Sequence, residues 1–347
     1  MENLLHVTPS HVSLLNSYAV PQLPQAKATP TDISLPVIDL SRSRDEVCRA
    51  ILDAGKEFGF FQVINHGIPE QVLQDMESVS EEFFQLPAAD KAHFYSEDTN
   101  RPNRLFSGST YKTSKRLYWM DCLRLARTFP GSDCKKEWPE KPEELRNVFE
   151  NYTALMNVFE NYTALMRGLG MEMLHMLCQS LGLPSDYFDE DHRPGAWPPS
   201  VIRYPPCPTP DVTLGLPPHC DRNLITRVLS GSVPGLQVFY KGDWIMVKPI
   251  RDSFVINFGL HLEVVTNGII KSVEHRVITN SVQARTSVVI TINGTEDCLI
   301  GPAGELLGEN KPPRYRTVTL RDFMRIYNKS LENPDAAIKE RMKPFMI

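Results

Sequence analysis

The chain has 347 residues, 41% hydrophobic, 23% charged and 9% aromatic, enough for one large domain or a catalytic core with a helical partner. Lys and Arg number 37 against 42 Asp and Glu, and this net charge of −5 leaves no basic footprint for nucleic acid or a membrane surface. No apolar run approaches the roughly 20 residues of a membrane span, the N-terminus lacks a secretory pattern, and seven scattered cysteines without a CxxC fit a reducing, cytoplasmic setting.

Without a leader, the four Asn-x-Ser/Thr sequons at Asn151, Asn161, Asn293 and Asn328 are read as accidental. Residues 1–34, rich in Pro and polar residues, are expected to form an extended arm. A mostly helical region is expected over 35–196. Within it LPVIDL (35–40) and FFQVI (60–64) read as short buried strands. Residues 44–58 have helical spacing, with Val47, Ile51 and Phe58 on one side. A second helix is predicted from Pro69, with the stripe Val72, Met76, Val79 and Phe83 and a stop at Leu86-Pro87. From Pro139 to Leu181 the pattern is helical again, and Gly182 is a C-terminal cap.

That last helix contains NVFENYTALM twice, at 147–156 and 157–166. Ten residues fall about 80° short of three full turns, so the copies cannot present the same face. A recent or artefactual tandem insertion is the preferred reading over two packing repeats.

After Trp197 short β-rich runs follow: SVIRY (200–204), LQVFY (236–240), WIMVK (244–248), SFVINF (253–258), HRVIT (275–279) and RTSVVITI (285–292). Turn signals such as Lys241-Gly242-Asp243 and Asn267-Gly268 separate them. This predicts an all-β sandwich or barrel over 197–300, then a helical tail within 301–347 that starts after Leu320.

In His219-Cys220-Asp221 an imidazole and a carboxylate stand two residues apart at the end of a strand, so both point the same way. Alone this pair is uninformative. His275 and Arg285 begin two further strands, and a hairpin centred near Asn280 would make them cross-strand neighbours. Arg285 and Ser287 share a face. Two His and one carboxylate leave three open metal positions, the arrangement suited to non-haem iron, and an Arg fork beside it suits a dicarboxylate.

The collinear order HCD, HRV, RTS resembles the iron- and 2-oxoglutarate-dependent dioxygenases of plant specialised metabolism. YPPCP (204–208), HCDRNLIT (219–226), PGLQVF (234–239), TNGIIKSVEHR (266–276), GFFQVINHG (59–67), EFFQLPAADK (82–91) and LYWMDCLRL (117–125) match the family's text as well. The resemblance implies an α+β fold, a double-stranded β-helix (jelly-roll) core flanked by helices. It implies that His219, Asp221 and His275 ligate Fe(II), and that Tyr204, Arg285 and Ser287 bind 2-oxoglutarate. O2 is consumed, succinate and CO2 are released, and ascorbate supports activity.

The implied substrate is a small hydrophobic metabolite (flavonoid, phenolic or alkaloid), and the implied reaction is hydroxylation. Desaturation and demethylation are alternatives, as are an oxidase that spares 2-oxoglutarate and a non-catalytic jelly-roll binder. No nucleic acid, membrane or oligomeric partner is called for, so a monomer is expected.

Three departures stand out. Ile202 replaces the family's usual Asn two residues before the Tyr. Gly259-Leu260 resembles hyoscyamine 6-hydroxylase-type members, whereas WMDCLRL is closer to the salicylate hydroxylase and flavone synthase branch. The duplicated decapeptide lengthens one spacing by its own length.

Alternation extends the Arg285/Ser287 face to Val289, Thr291 and Asn293, and the Tyr204 face to Ile202 and Ser200. The resemblance places Cys122 and Arg124 over the pocket, with Arg124 either facing an anionic substrate or held in a salt bridge. His261, in what reads as a strand end, is assigned to packing. Cys220 is read as a core or substrate-side thiol, His66 as a turn residue, His175 as helix surface or core, and the Met cluster at 171–176 as core filler.

Overall fold

The structure, a computed structural model, describes residues 33–92, 94–98, 101, 103–108, 117–125, 145–190, 195–196, 199–330 and 337–347. Most of the expected arm, and the predicted start of the long helix, lie outside them.

The first part of the chain runs β1 (Val37–Asp39), α1 (Arg44–Glu57), β2 (Phe60–Ile64), α2 (Glu70–Gln85), α3 (Ala88–Ala92), β3 (Asn103–Ser107), β4 (Asp121–Leu125), α4 (Leu145–Leu181) and α5 (Tyr187–Glu190). Then come β5 (Gly195–Ala196), β6 (Ser200–Tyr204), β7 (Leu214–His219), β8 (Ile225–Ser230), β9 (Leu236–Tyr240), β10 (Asp243–Met246) and β11 (Phe254–Phe258). The rest is α6 (Leu260–Val265), β12 (His275–Ile278), β13 (Arg285–Asn293), β14 (Leu299–Ile300), β15 (Val318–Thr319), α7 (Leu320–Ser330) and α8 (Ile338–Met342).

Two sheets face each other, the jelly-roll arrangement expected. The larger has the order β1-β2-β11-β8-β13-β6-β4-β3, with β5 paired to the end of β13; the smaller is β10-β9-β12-β7. Period-two alternation divides the larger sheet into two faces. Val201, Leu229, Ile256, Phe258, Val288, Ile290 and Ile292 pack with residues of α1, α2 and α4 in one core. Cys122, Ile202, Tyr204 and Val255 point the other way and meet Leu214, Leu236, Val238 and Val277 of the smaller sheet in a second core. Burying one such large apolar side chain contributes about 1.5–3 kcal/mol, so the double-sided sheet is the main source of stability. Arg227 breaks the apolar pattern of the helix-facing side. It is fully buried where Gly170 of α4 leaves room for its guanidinium, and burial pushes its pKa down to about 9.

Local chemistry explains the boundaries. Ser43 and Glu46 form a capping box on α1. Gly182 closes α4 at φ +75°. Lys241 and Gly242, both left-handed, make the two-residue turn that pairs Tyr240 with Asp243.

The predicted stripe of α2 meets the core, Met76 and Phe83 buried and Val72 and Val79 partly buried against it, and the face widens to Leu73, Phe84 and Ser80, whose hydroxyl donates to the Met76 carbonyl at 2.6 Å. Three expectations change. GLHLEV is not a strand end but α6, and the left-handed turn at Asn267-Gly268 follows that helix, between β11 and β12. Phe58 lies just past α1 and stacks on Tyr240 at 4.6 Å. The hairpin between β12 and β13 does not exist: β12 pairs with β7 and β9, and β13 with β6, β8 and β5. The six residues between them carry the chain from one sheet to the other. The decapeptide copies form one continuous helix, and the second copy buries Phe159, Tyr162, Thr163 and Met166.

Candidate active site

The open end of the cavity between the sheets gathers the predicted residues. His219 ends β7, and His275 begins β12 directly opposite it. Asp221 follows two residues on, and one nitrogen or oxygen from each of the three lies within 4.8 Å of the others. Asp221 Oδ1 is 3.6 Å from His219 Nε2 and 3.8 Å from His275 Nε2.

Each ligand is held from behind. His219 Nδ1 lies 2.8 Å from the Pro217 carbonyl and His275 Nδ1 3.3 Å from that of Val273, so Nδ1–H donates and both Nε2 lone pairs face the gap. Asp221 Oδ2 accepts from Asn257 Nδ2 at 2.8 Å and from the Thr226 hydroxyl, leaving Oδ1 for a cation. Burial alone would raise the Asp221 pKa, but His275, His219 and these two donors outweigh it and keep the carboxylate ionised. Burial and the neighbouring His275 push His219 down to about 3, so its imidazole is neutral and basic toward metal rather than protonated. Two imidazoles and one carboxylate with a bare face fit a divalent iron.

Deeper in the cavity Arg285 stands opposite Tyr204, its guanidinium carbon 5.4 Å from the ring centroid, and Ser287 stands opposite Ile202. Arg285 Nη2 donates to the Ser230 hydroxyl at 3.1 Å. Two glycines make the space. A Cβ at Gly215 would sit 2.4 Å from the Tyr204 ring, and one at Gly235 2.9 Å from Arg285 Cδ. Burial pushes the Tyr204 hydroxyl up to about 12, so it remains a neutral donor. Arg285 is thus next to Tyr204, and not beside His275 as the hairpin implied.

Cys122, Arg124, Thr291 and Asn293 line the same cavity, with Ser200 and Ile202. Arg124 Nε approaches the Ser200 hydroxyl at 3.5 Å, and among the described residues no carboxylate pairs with it. Burial pushes the Cys122 thiol up to about 11. Sequence reasoning missed Phe60, whose ring meets His275 edge-on at 5.0 Å, Thr226, Asn257, Arg222 and, from α7, Met324. A polar Asn257 inside the apolar run FVINF was a visible signal; nothing in the sequence pointed to Met324.

The residues set aside stay outside the chemistry. His66 is held by backbone, with Nε2 at 3.0 Å from the Asp252 carbonyl and Nδ1 accepting from the Ile68 amide. His175 pairs with Asp189 at 3.1 Å on the surface of α4, and His261 is fully buried in α6. Cys220 donates to the Ser272 carbonyl at 3.4 Å, away from the ligand atoms, though it borders the cavity.

Comparison with known proteins agrees with this geometry. Residues 196–294 match the 2OG-Fe(II) oxygenase superfamily, and residues 35–145 match the N-terminal region described as non-haem dioxygenase in morphine synthesis. The chain is 55% identical over 328 residues to 2'-deoxymugineic-acid 2'-dioxygenase of Hordeum vulgare, covering 94% of each chain. It is 49% identical over 341 residues to mugineic-acid 3-dioxygenase of the same plant, covering 98% of this chain and 97% of the relative. A crystal structure of JOX2 in complex with 2OG, Fe and JA superposes with a TM-score of 0.77 at 29% identity, covering 97% of this chain and 98% of that one. The chain belongs to the 2OG-Fe(II) oxygenase superfamily and is an iron- and 2-oxoglutarate-dependent dioxygenase.

Proposed function

We propose that the enzyme hydroxylates a small, polar, carboxylated metabolite of the mugineic-acid type. One atom of O2 enters the substrate C–H bond, the other enters succinate, and CO2 leaves. The observation that carries this reading is the substrate side of the cavity, where Ser200, Thr291, Asn293 and Arg124 supply hydrogen-bonding groups beside the His219/Asp221/His275 cluster. Such a lining favours a polar acid over the flavonoid, phenolic or alkaloid suggested by the sequence. The relatives named for 2'-deoxymugineic acid and mugineic acid support it.

On this reading His219 Nε2, Asp221 Oδ1 and His275 Nε2 would hold the iron, which would supply activation of O2. The chain's residues do the positioning. Arg285 and Ser287 take the far carboxylate of 2-oxoglutarate in a fork and a hydroxyl, and neutral Tyr204 donates to the same end. The apolar second core beneath excludes water from the reacting groups. The residues 35–196, 197–300 and 301–347 act as one catalytic unit, a monomer in the cytoplasm. The six described cysteines, free and buried, support a reducing compartment; no described helix is long and apolar enough to cross a membrane.

The test is succinate formation by purified protein with Fe(II), ascorbate, 2-oxoglutarate and 2'-deoxymugineic acid. The expected result is one succinate per hydroxylated product and none with His219→Ala. Product without succinate would instead indicate an oxidase that spares 2-oxoglutarate.

A further inference from the structure

On the edge strand β3 and its neighbour β4, Arg104 and Arg124 stand directly opposite each other. Like charges in that position repel, and a sheet carries them at a cost. Their register places both on the face that bears Cys122, the cavity face. Both guanidinium groups converge on Phe106, with the Arg104 carbon 4.1 Å and the Arg124 carbon 5.8 Å from the ring centroid.

Arg104 is only 4% exposed, and its Nε has no hydrogen-bond partner. Its Nη1 reaches the Ser96 carbonyl at 3.5 Å, the outer limit of a hydrogen bond. Burial, followed by the field of Arg124, lowers the Arg104 pKa. Among the described residues no carboxylate forms an ion pair with either arginine; the exposed Asp98 reaches Arg104 by its field alone. Of these two adjacent cations, Arg124 is the one that lines the cavity, and with no carboxylate paired to it among the described residues it is available to an anion that arrives from outside.

The pair is well separated from the cosubstrate end. Arg124 is opposite Ser200 of β6, whereas Arg285 is opposite Tyr204 of the same strand. Four residues of strand span about 13 Å. The cavity therefore has two cationic ends, with the cluster of His219, Asp221 and His275 in its wall.

We propose that the Arg104–Arg124 pair, seated on Phe106, is the receptor for a carboxylate of the substrate and selects carboxylated metabolites over neutral ones. Arg124 touches the carboxylate. Arg104 is a positioning residue behind it, whose charge and stacking on Phe106 hold the fork in place. The proposal rests on the reading of the chain as a dioxygenase of a carboxylated metabolite, and it adds which residues discriminate.

The experiment measures binding without turnover. Full-length protein loaded with Fe(II) and 2-oxoglutarate is titrated with 2'-deoxymugineic acid by anoxic calorimetry. Arg124→Gln should raise Kd roughly 30-fold, the loss from truncating one partner of a buried charge pair. Arg104→Gln should raise it about fivefold, and Arg124→Lys should recover part of the loss. The Kd of 2-oxoglutarate should stay within about twofold in all three, since that site is distant. Unchanged substrate binding in Arg124→Gln overturns the proposal, and so does a parallel loss of 2-oxoglutarate affinity.

If 2'-deoxymugineic acid fails to bind the wild-type protein, the substrate reading fails while the receptor is still decided. Small carboxylic acids are then each paired with their methyl ester in the succinate assay. An acid accepted over its ester, with that preference lost in Arg124→Gln, supports the receptor; no acid preferred over its ester overturns it.

Discussion

Asp221 divides its two oxygens between two tasks. Oδ2 is saturated by Asn257 and Thr226, which turns Oδ1 toward the two imidazoles. Removing one of those donors frees the carboxylate to rotate. Asn257→Ala is therefore expected to weaken iron binding by roughly 10–100-fold. Anoxic Fe(II) titration would show it, and an unchanged affinity would mean that Thr226 orients the group alone. At this scale the sequence was informative for the ligands themselves through the collinear motifs HCD and HRV, although β7 ends at His219 and Asp221 lies just beyond it. It was silent on Thr226 and Asn257 as partners of Asp221. They come from β8 and β11, and only the pairing of Asn257 with Thr226 across those strands brings both to the same oxygen.

At the scale of elements, the cosubstrate pocket depends on close approach between the sheets. Gly215 of β7 lies against the Tyr204 ring of β6, and a Cβ there would come within 2.4 Å of it. Gly215→Ala must push the ring aside, since every atom the new Cβ would meet belongs to it. The expected result is a KM for 2-oxoglutarate raised about tenfold, the loss of a hydrogen bond to a charged group, with a destabilisation of about 1–3 kcal/mol. Steady-state kinetics and thermal melts would check both; an unchanged KM would remove Tyr204 from the carboxylate pocket. Strand positions at β2, β6 and β9 were legible, because each is a short apolar run bounded by turn residues. The partner of each strand was not. His275 and Arg285 were placed side by side by assuming that consecutive strands form a hairpin, whereas the chain crosses to the other sheet between them. Both arginine and histidine still face one cavity, because the two sheets pack face to face.

For the whole molecule, α4 carries both decapeptide copies in one unbroken helix. Its second decapeptide copy contributes Phe159, Tyr162, Thr163 and Met166 to the core beneath the larger sheet. Deleting residues 147–156 leaves that copy and everything C-terminal to it unchanged. Such a deletion is expected to shift Tm by no more than about 4 °C, or roughly 1 kcal/mol, and to leave succinate formation intact. A larger loss, measured by calorimetry, would show that the extra turns are packed against something essential.

The sequence by itself determined the chemistry this chain can perform. The Arg285/Ser287 face is a property of strand periodicity, which the backbone of β13 enforces locally, whereas the order of His219, Asp221 and His275 was legible through the collinear motifs around them. Helices α1 and α2 and the strand runs β2, β6 and β9 were also legible, because hydrophobic period is a local signal. Tertiary structure alone decided which strands are neighbours, and with them which side chains support the ligands. It set Arg104 against Arg124 at one end of the cavity and Arg285 against Tyr204 at the other. These are contacts between segments far apart in the chain, governed by the packing of two sheets and a helical layer, and no local pattern encodes them.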